Sequence, residues 1–150
     1  MNMSNLQPSE INTNSIYDCV IVPLRKIHNR AGNLTVVEGL KNLPFEVRRT
    51  YYLYDIPGGE SRGGHAHKEL YQLIIAAGGS FDVLLDDGEN KKVVTLNRPY
   101  FGLLVVPGIW RELLEFSSGA ICLVLASHKY EESDYIREYA QFMEFKGTAR

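Results

Sequence analysis

The chain has 150 residues, of which 45% are hydrophobic and 23% are charged, and its formal net charge at pH 7 is -2. This length suits one folded domain that can bury a sizeable core. The nearly balanced charge gives no general attraction to nucleic acid or to an anionic membrane, so neither is expected as a partner. It leaves room for one local cationic pocket that binds a phosphorylated ligand.

We expect no signal peptide and no transmembrane helix. The first residues lack a basic segment followed by an apolar one, and no apolar run approaches the roughly 18 residues of a membrane-spanning helix. Cys19 and Cys122 are far apart, each in an apolar run, which predicts buried free thiols, with a disulfide as the alternative. These features predict a cytoplasmic protein.

In chain order, residues 1–15 are polar and rich in Asn and Ser, which predicts a flexible N-terminal arm, and residues 16–150 are expected to form a single domain. Residues 26–33 are predicted as a turn. Runs of β-branched and aromatic residues between Gly, Pro and Asp predict a series of strands. These predicted strands cover 20–24, 34–38, 45–54, 70–77, 81–85, 92–96, 102–106, 110–116 and 120–127.

The last part of the chain changes character. Ser133 and Asp134 predict the N-cap of a helix over residues 135–145, whose apolar stripe is expected to serve packing. Closely spaced strands without βαβ alternation predict an all-β sandwich or barrel, here with one short C-terminal helix.

The stretch from Arg62 to Lys68 concentrates the chemistry of the sequence, because it holds two of the four histidines. If it is a strand, His65 and His67 point to the same face. A same-face pair of imidazoles can bind a metal or transfer a proton near neutral pH. The ordinary alternative is a structural or surface pair.

The spacing around this pair is that of the first cupin motif, but Gln72 stands where that motif has Glu, and Gly79 follows. In the second motif Arg111, after Trp110, occupies the region that usually supplies a third histidine. A catalytic metal site needs about three protein ligands, and arginine cannot be one. We therefore expect no metal and no other cofactor.

Without a metal, the residues that can carry chemistry are the histidine pair, the cationic Arg62 and Arg111, and the tyrosines Tyr51 and Tyr52. Each residue alone has an ordinary explanation as a surface charge or a core aromatic. Histidine is a competent base, and arginine and tyrosine can stabilise an enolate oxygen or bind phosphate. Together they predict proton abstraction beside a carbonyl on an anionic substrate.

The sequence also resembles the nucleotide-sugar 3,4-ketoisomerases, small cupins of the FdtA/WxcM-like type, over nearly the whole chain after residue ~22. The shared pattern comprises Gly32-Asn33-Leu34, Pro44-Phe45, Arg49, Tyr51-Tyr52, Arg62-Gly63, His65-Ala66-His67-Lys68, Gly79-Ser80, Leu85-Asp86-Asp87-Gly88, Trp110, Glu112, Leu125-Ala126-Ser127 and Asp134-Tyr135-Ile136-Arg137.

The resemblance implies a homodimeric cupin, or β-jelly-roll barrel, that moves the ketone of dTDP-4-keto-6-deoxy-D-glucose from C4 to C3 without a metal. The product would feed a PLP-dependent sugar aminotransferase that makes a 3-amino-3,6-dideoxyhexose for a surface polysaccharide such as an O-antigen.

It also implies roles for the residues of the site. His67 would be the base that takes the C3 proton and His65 its partner, with Arg62 and Tyr52 stabilising the enediol. The residues expected to bind substrate are Tyr51, Arg111, Gln72 and Lys68.

Arg111 also bears on stereochemistry. Family members with arginine directly after the matching tryptophan resemble those giving the gluco product, whereas histidine there marks the galacto type. Ala31, before Gly32, matches neither type. The gluco product is therefore expected. Two other functions stay open at this point, a metal-dependent cupin enzyme and a non-catalytic sugar-nucleotide-binding module.

Overall fold

The computed structural model describes residues 11–148, and this part of the chain contains twelve β-strands and one α-helix. The elements are β1 Val20–Pro23, β2 Arg25–Asn29, β3 Gly32–Val36, β4 Arg49–Leu53, β5 Arg62–His67, β6 Gln72–Gly78, β7 Phe81–Asp86, β8 Lys91–Leu96, β9 Phe101–Val105, β10 Trp110–Leu114, β11 Ile121–Ala126, β12 Tyr135–Ile136 and α1 Tyr139–Phe145.

Two five-stranded sheets carry the fold, in the strand orders β1-β9-β6-β11-β4 and β12-β5-β10-β7-β8. Their strand pairs are antiparallel, and β2 with β3 forms a separate hairpin. Alternate residues of both sheets point inward, because side chains of a strand alternate between its faces. They meet in the main core, which includes Ile74, Val83, Leu103, Leu113 and Val124.

The outer faces of the two sheets are also covered. Leu73, Ile75 and Leu104 of the first sheet pack under a segment that contains Leu43 and Phe45. On the second sheet, Ala66 of β5, Trp110 of β10 and Ile136 of β12 pack against Phe142 of α1. In β5 and β10, therefore, Ala66 and Trp110 face outward, while their neighbours His65, His67 and Arg111 face inward.

The predicted all-β jelly roll with a short C-terminal helix is confirmed. The hairpin around the Asp-Gly turn is also confirmed, as β7 and β8. The predicted turn over 26–33 was wrong for most of its length, because residues 25–29 pair with 32–36 as strands. The predicted strand over 45–54 is shorter in the structure, since Phe45 lies over the outer face of the first sheet.

The start of the predicted helix was also wrong. Tyr135 and Ile136 pair with His67 and Ala66 at the edge of β5, which holds them in extended conformation, and α1 begins only at Tyr139. The side chain of Asp134 contacts His67 and does not cap a helix.

Residues 1–10 of the predicted N-terminal arm lie outside the described residues. Within 11–15, the N–H of Asn12 donates to Phe145 O at 3.2 Å, and Asn14 Nδ2 donates to Pro107 O at 3.0 Å. Cys19 and Cys122 are buried free thiols, as expected. In the described part of the chain, no helix has the length and apolar character needed to cross a membrane.

Candidate active site

A cleft of about 460 Å³ opens beside the inner face of β4, β5 and β10, and the segment 130–137 forms another wall of it. Its lining combines four arginines with three tyrosines and one histidine. The polar lining residues are Arg49, Tyr51, Arg62, His65, Arg111, Tyr130, Tyr135 and Arg137. Leu53, Gly63 and Leu113 complete the lining.

The two histidines of β5 lie side by side, as their i, i+2 spacing predicts. Their ring centroids are 4.9 Å apart with an interplanar angle of 90°. Only 8% of His65 and 5% of His67 is exposed to solvent. Both Nε2 atoms are buried and unpartnered, whereas His67 Nδ1 lies 3.1 Å from Asp134 Oδ2. His65 lines the cleft, and His67 lies behind it.

The histidines are neutral at neutral pH. Burial, with the positive charge of Arg111 added to it, lowers the pKa of His65 to about 2. Burial also lowers the pKa of His67, and the hydrogen bond with Asp134 opposes this effect only in part. Arg111 acts on His65 so strongly because the two residues are direct cross-strand partners in β10 and β5.

Arg111 is itself fixed by two polar side chains. Its Nε donates to Gln72 Oε1 at 3.3 Å, and its Nη2 donates to the Tyr51 hydroxyl at 3.1 Å. Gln72 Nε2 also donates to that hydroxyl, at 3.1 Å. The Tyr51 oxygen thus accepts two hydrogen bonds, which leaves its own O–H free to donate to a group in the cleft.

Gly63 makes room for the guanidinium. The register of β5 and β10 shifts between Arg111 and Leu113, a β-bulge, and Gly63 in this region has φ +77°. A Cβ there would lie 2.9 Å from Arg111 Nη1. β-bulges of this kind often direct a side chain next to an active site.

The structure brings most of the predicted site residues together. Tyr51, Arg62, His65 and Arg111 line the cleft. His67 and Gln72 contact the lining residues from behind.

Two predicted residues lie elsewhere. Tyr52 is on the outer face of β4, 60% exposed and beside Tyr54, and Lys68 is exposed at the end of β5. Neither side chain lines the cleft.

Sequence reasoning gave no role to several residues of the site. Arg49 donates to the Tyr135 hydroxyl at 3.2 Å, and Arg137 lies over the Tyr135 ring at 4.2 Å. All three occur in the shared family pattern, which was the available signal. Asp134 also occurs there, but its place before a predicted helix made it look like a cap.

Within residues 11–148, no group of three or more His, Cys, Asp or Glu side chains is arranged to hold a metal ion. Arg111 is the cross-strand partner of His65, and Gln72 accepts a hydrogen bond from its guanidinium. A guanidinium repels a cation and cannot ligate one, so these residues do not fit a metal cofactor.

Comparisons with family models, curated proteins and solved structures point to the same family. The family model described as FdtA: WxcM-like, C-terminal matches residues 17–147. A curated TDP-4-oxo-6-deoxy-alpha-D-glucose-3,4-oxoisomerase from Aneurinibacillus thermoaerophilus is 43% identical over 125 residues, which cover 83% of this chain and 90% of the relative.

Two solved structures are similar over most of their length. QdtA, a sugar 3,4-ketoisomerase from Thermoanaerobacterium thermosaccharolyticum in complex with TDP, has a TM-score of 0.86 and 35% identity, covering 89% of this chain and 97% of QdtA. WlaRB, a TDP-quinovose 3,4-ketoisomerase from Campylobacter jejuni, has a TM-score of 0.80 and 44% identity, covering 84% of this chain and 97% of WlaRB.

Proposed function

The chain belongs to the WxcM-like, C-terminal (FdtA) family, and on this premise we propose that it is a TDP-4-keto-6-deoxy-D-glucose 3,4-ketoisomerase. The enzyme moves the ketone of the sugar from C4 to C3. The observation that carries this proposal is the neutral histidine at the wall of a cleft lined by four arginines.

The arginines fit the diphosphate of a sugar nucleotide. Arg49, Arg62, Arg111 and Arg137 all line the same cleft, in a chain whose net charge is -2. Guanidinium groups bind phosphate oxygens in pairs and are always charged. The chain as a whole has no basic character, so this local cluster supports a small anionic substrate.

The reaction needs a base at C3, whose proton is acidified by the neighbouring C4 ketone. His65 faces the cleft with an unpartnered Nε2, and its imidazole is neutral, so we assign it the removal of this proton. The family resemblance favoured His67 for this role, but that side chain lies behind His65. We assign His67 to the second position, as the partner that shares the proton.

Removal of the C3 proton forms a C3=C4 double bond and places negative charge on O4. O4 then takes up a proton, the O3 hydroxyl loses its proton as C3=O forms, and a proton is added at C4. The Tyr51 hydroxyl, with its free O–H, and the guanidinium of Arg111 are the groups we assign to the charged oxygen. Tyr51 thus takes the role that the family resemblance gave to Tyr52. Arg62, which the resemblance also placed at the enediol, is assigned here to the diphosphate.

We propose 3-keto-6-deoxyglucose as the product, on the basis of Arg111. In the gluco product the new C4 proton lies on the opposite ring face from the C3 proton that was removed, whereas in the galacto product both lie on the same face. One base at a fixed place therefore cannot both take and return the proton in the gluco case. The similarity to a TDP-quinovose 3,4-ketoisomerase supports this choice, since quinovose is 6-deoxyglucose.

The protein is proposed to act as a homodimer in the cytoplasm. Exposed apolar side chains on β1 and on the β2–β3 hairpin, including Val20, Ile21 and Leu34, offer a surface for a second copy. A 3-keto sugar is the substrate that a PLP-dependent aminotransferase converts to a 3-amino sugar, so such an enzyme is the expected next step. The buried free thiols fit a reducing compartment.

One experiment tests the proposed function directly. The protein is incubated with TDP-4-keto-6-deoxyglucose in deuterated water, and the product is followed by NMR. The expected result is a C3 ketone with solvent deuterium at C4, in the gluco configuration. Binding without deuterium exchange would contradict the enzyme assignment, and activity lost to a chelator and restored by a metal would favour a metal-dependent cupin.

A further inference from the structure

Asp134 is held in place by several hydrogen bonds. It ends the short 3-10 turn Glu132–Asp134, directly before β12. Its Oδ1 accepts from the N–H of Glu69 at 2.8 Å, and the N–H of Leu70 also donates to its carboxylate. Its backbone O accepts from the N–H of Lys68 at 3.0 Å, so the turn is tied to the end of β5.

These contacts determine which nitrogen of His67 carries the proton. Burial raises the pKa of Asp134, but the hydrogen bonds from His67 and Glu69 lower it more, so the group is a carboxylate at neutral pH. A carboxylate only accepts hydrogen bonds. His67 Nδ1, 3.1 Å from Asp134 Oδ2, must therefore be the protonated nitrogen, and its Nε2 is bare.

His65 has the same tautomer for a different reason. Its Nε2 is unpartnered, and the backbone of Gly63 favours a proton on the ring, so we assign the proton to Nδ1. The two rings differ in how well they can hold a second proton. Positive charge on either ring is disfavoured by Arg111, but positive charge on His67 also lies against the carboxylate of Asp134.

The charges around His67 come from several elements. Its titratable and charged neighbours are His65 of β5, Arg49 of β4, Arg111 of β10, Tyr135 of β12 and Asp134. Asp134 is the only one of these described neighbours that carries negative charge at neutral pH. It is therefore the group that favours a cation at this place.

We propose that Asp134 is the positioning residue of the proton transfer, because it holds His67 with Nε2 bare and makes His67 the ring that accepts a second proton. This inference rests on the proposed function, in which the histidine pair takes up the C3 proton. The C3 proton passes to His65 and on to His67, and C4 gains its proton from solvent, so no oxidant or other reactant is needed. Asp134 touches neither the cleft nor the substrate and acts only through His67.

The first test measures the tautomer directly. The wild-type protein is labelled with ¹⁵N-histidine, and long-range ¹H–¹⁵N correlation spectra are recorded at neutral pH, with His67→Gln used to assign the His67 signals. The expected result is a protonated Nδ1 and a bare Nε2. A proton on Nε2 of His67 would overturn the proposal. This result does not depend on turnover, so it stands even if the proposed isomerase activity is not found.

The second test uses Asp134→Asn. The amide has one acceptor oxygen, and if this oxygen keeps the backbone donors, the NH₂ group faces His67 Nδ1 and drives the proton to Nε2. We expect kcat to fall by at least about 100-fold with little change in KM, since loss of the carboxylate that sets a histidine's tautomer costs about 10⁴-fold in the serine-protease triad. The acidic limb of the pH profile should also move to lower pH, because the carboxylate that favours the cation is gone.

The matched control is Asp87→Asn. Asp87 is a buried carboxylate that is likewise held by backbone N–H groups, those of Ile16, Glu89 and Asn90, but it belongs to the β7–β8 turn and has no hydrogen bond to a histidine. Both variants should lose stability, and only Asp134→Asn should lose kcat and change the tautomer. A kcat within about twofold of wild type for Asp134→Asn, or equal losses in both variants, would refute the proposal.

Discussion

Arg111 and Tyr51 join the two sheets of the barrel at the cleft. Arg111 Nη2 lies 3.1 Å from the Tyr51 hydroxyl, and the two residues belong to β10 and β4, which are in different sheets. Arg111 is buried despite its permanent charge. Because a buried charge needs fixed partners, this contact sets both the geometry and the electrostatics of the site.

Replacing Arg111 by lysine should therefore reduce activity although the charge is kept. An ammonium is a compact charge that cannot reproduce two directed N–H bonds to Gln72 and Tyr51. We expect kcat/KM to fall by about 100-fold. The control is Arg98→Lys at an exposed site, where steady-state kinetics should match wild type. Activity preserved in Arg111→Lys would show that charge alone suffices.

The two neighbouring tyrosines should behave differently. Tyr51→Phe removes the hydroxyl that accepts from Arg111 and Gln72 and that we assign to the charged oxygen. Its kcat should fall by about 100-fold. Tyr52→Phe changes an exposed hydroxyl outside the cleft, so its kcat should stay near wild type. A larger loss in Tyr52→Phe would restore the original assignment of Tyr52 to catalysis.

The two histidines are separated by a comparison of His65→Asn and His67→Asn. We expect His65→Asn to lose about 1000-fold in turnover and in deuterium exchange, because a positioned base contributes about that factor. His67→Asn should lose less, since it acts through His65. His128→Asn, at an exposed position, is the control. If His67→Asn has the larger loss of exchange at C3, His67 is the base.

Two glycines form a matched pair for testing the space around Arg111. Gly63 and Gly59 both have positive φ, +77° and +83°, but a Cβ at Gly59 would meet nothing within 4 Å, whereas one at Gly63 would meet Arg111. Each Gly→Ala change should cost about 1–2 kcal/mol of stability from backbone strain. Only Gly63→Ala should also lose activity. Equal activity of the two variants would contradict a role for the bulge in placing Arg111.

The free energy of unfolding should fall as the pH is lowered from 7 to 5. His65 has a folded-state pKa of about 2, so the unfolded chain takes up a proton in this range and the folded protein does not. Stability is thus fully present above the ordinary histidine pKa of about 6.5 and is lost below it, by about 2 kcal/mol at pH 5. Urea unfolding of wild type and His65→Asn at both pH values measures this. The variant should lose about 2 kcal/mol less.

Strand periodicity was enough to predict the central part of the site. The i, i+2 spacing predicted that His65 and His67 share a face, and the ligand pattern at Gln72 and Arg111 predicted an environment unsuited to a cation. Both features depend only on local geometry and on the chemistry of the side chains.

Features that depend on tertiary pairing could not be derived in this way. Alternation separates Tyr51 from Tyr52, but it does not tell which face of β4 is inside until β11 and the second sheet are in place. Asp134 lies 67 residues after its partner His67, and a local reading of the sequence offered only a helix cap. In the structure Tyr135 pairs with His67 as a strand, so no helix begins at Asp134.

The place of segment 130–137 in the chain bears on the order in which the protein acquires its properties. All strands of both sheets except β12 are complete at Ala126, whereas Tyr130, Asp134, Tyr135 and Arg137 come later. Chains leave the ribosome N-terminus first. During synthesis, therefore, the scaffold can assemble before its cleft has a complete wall. A nascent chain stopped before this segment would have both histidines but neither the carboxylate behind them nor the full set of arginines.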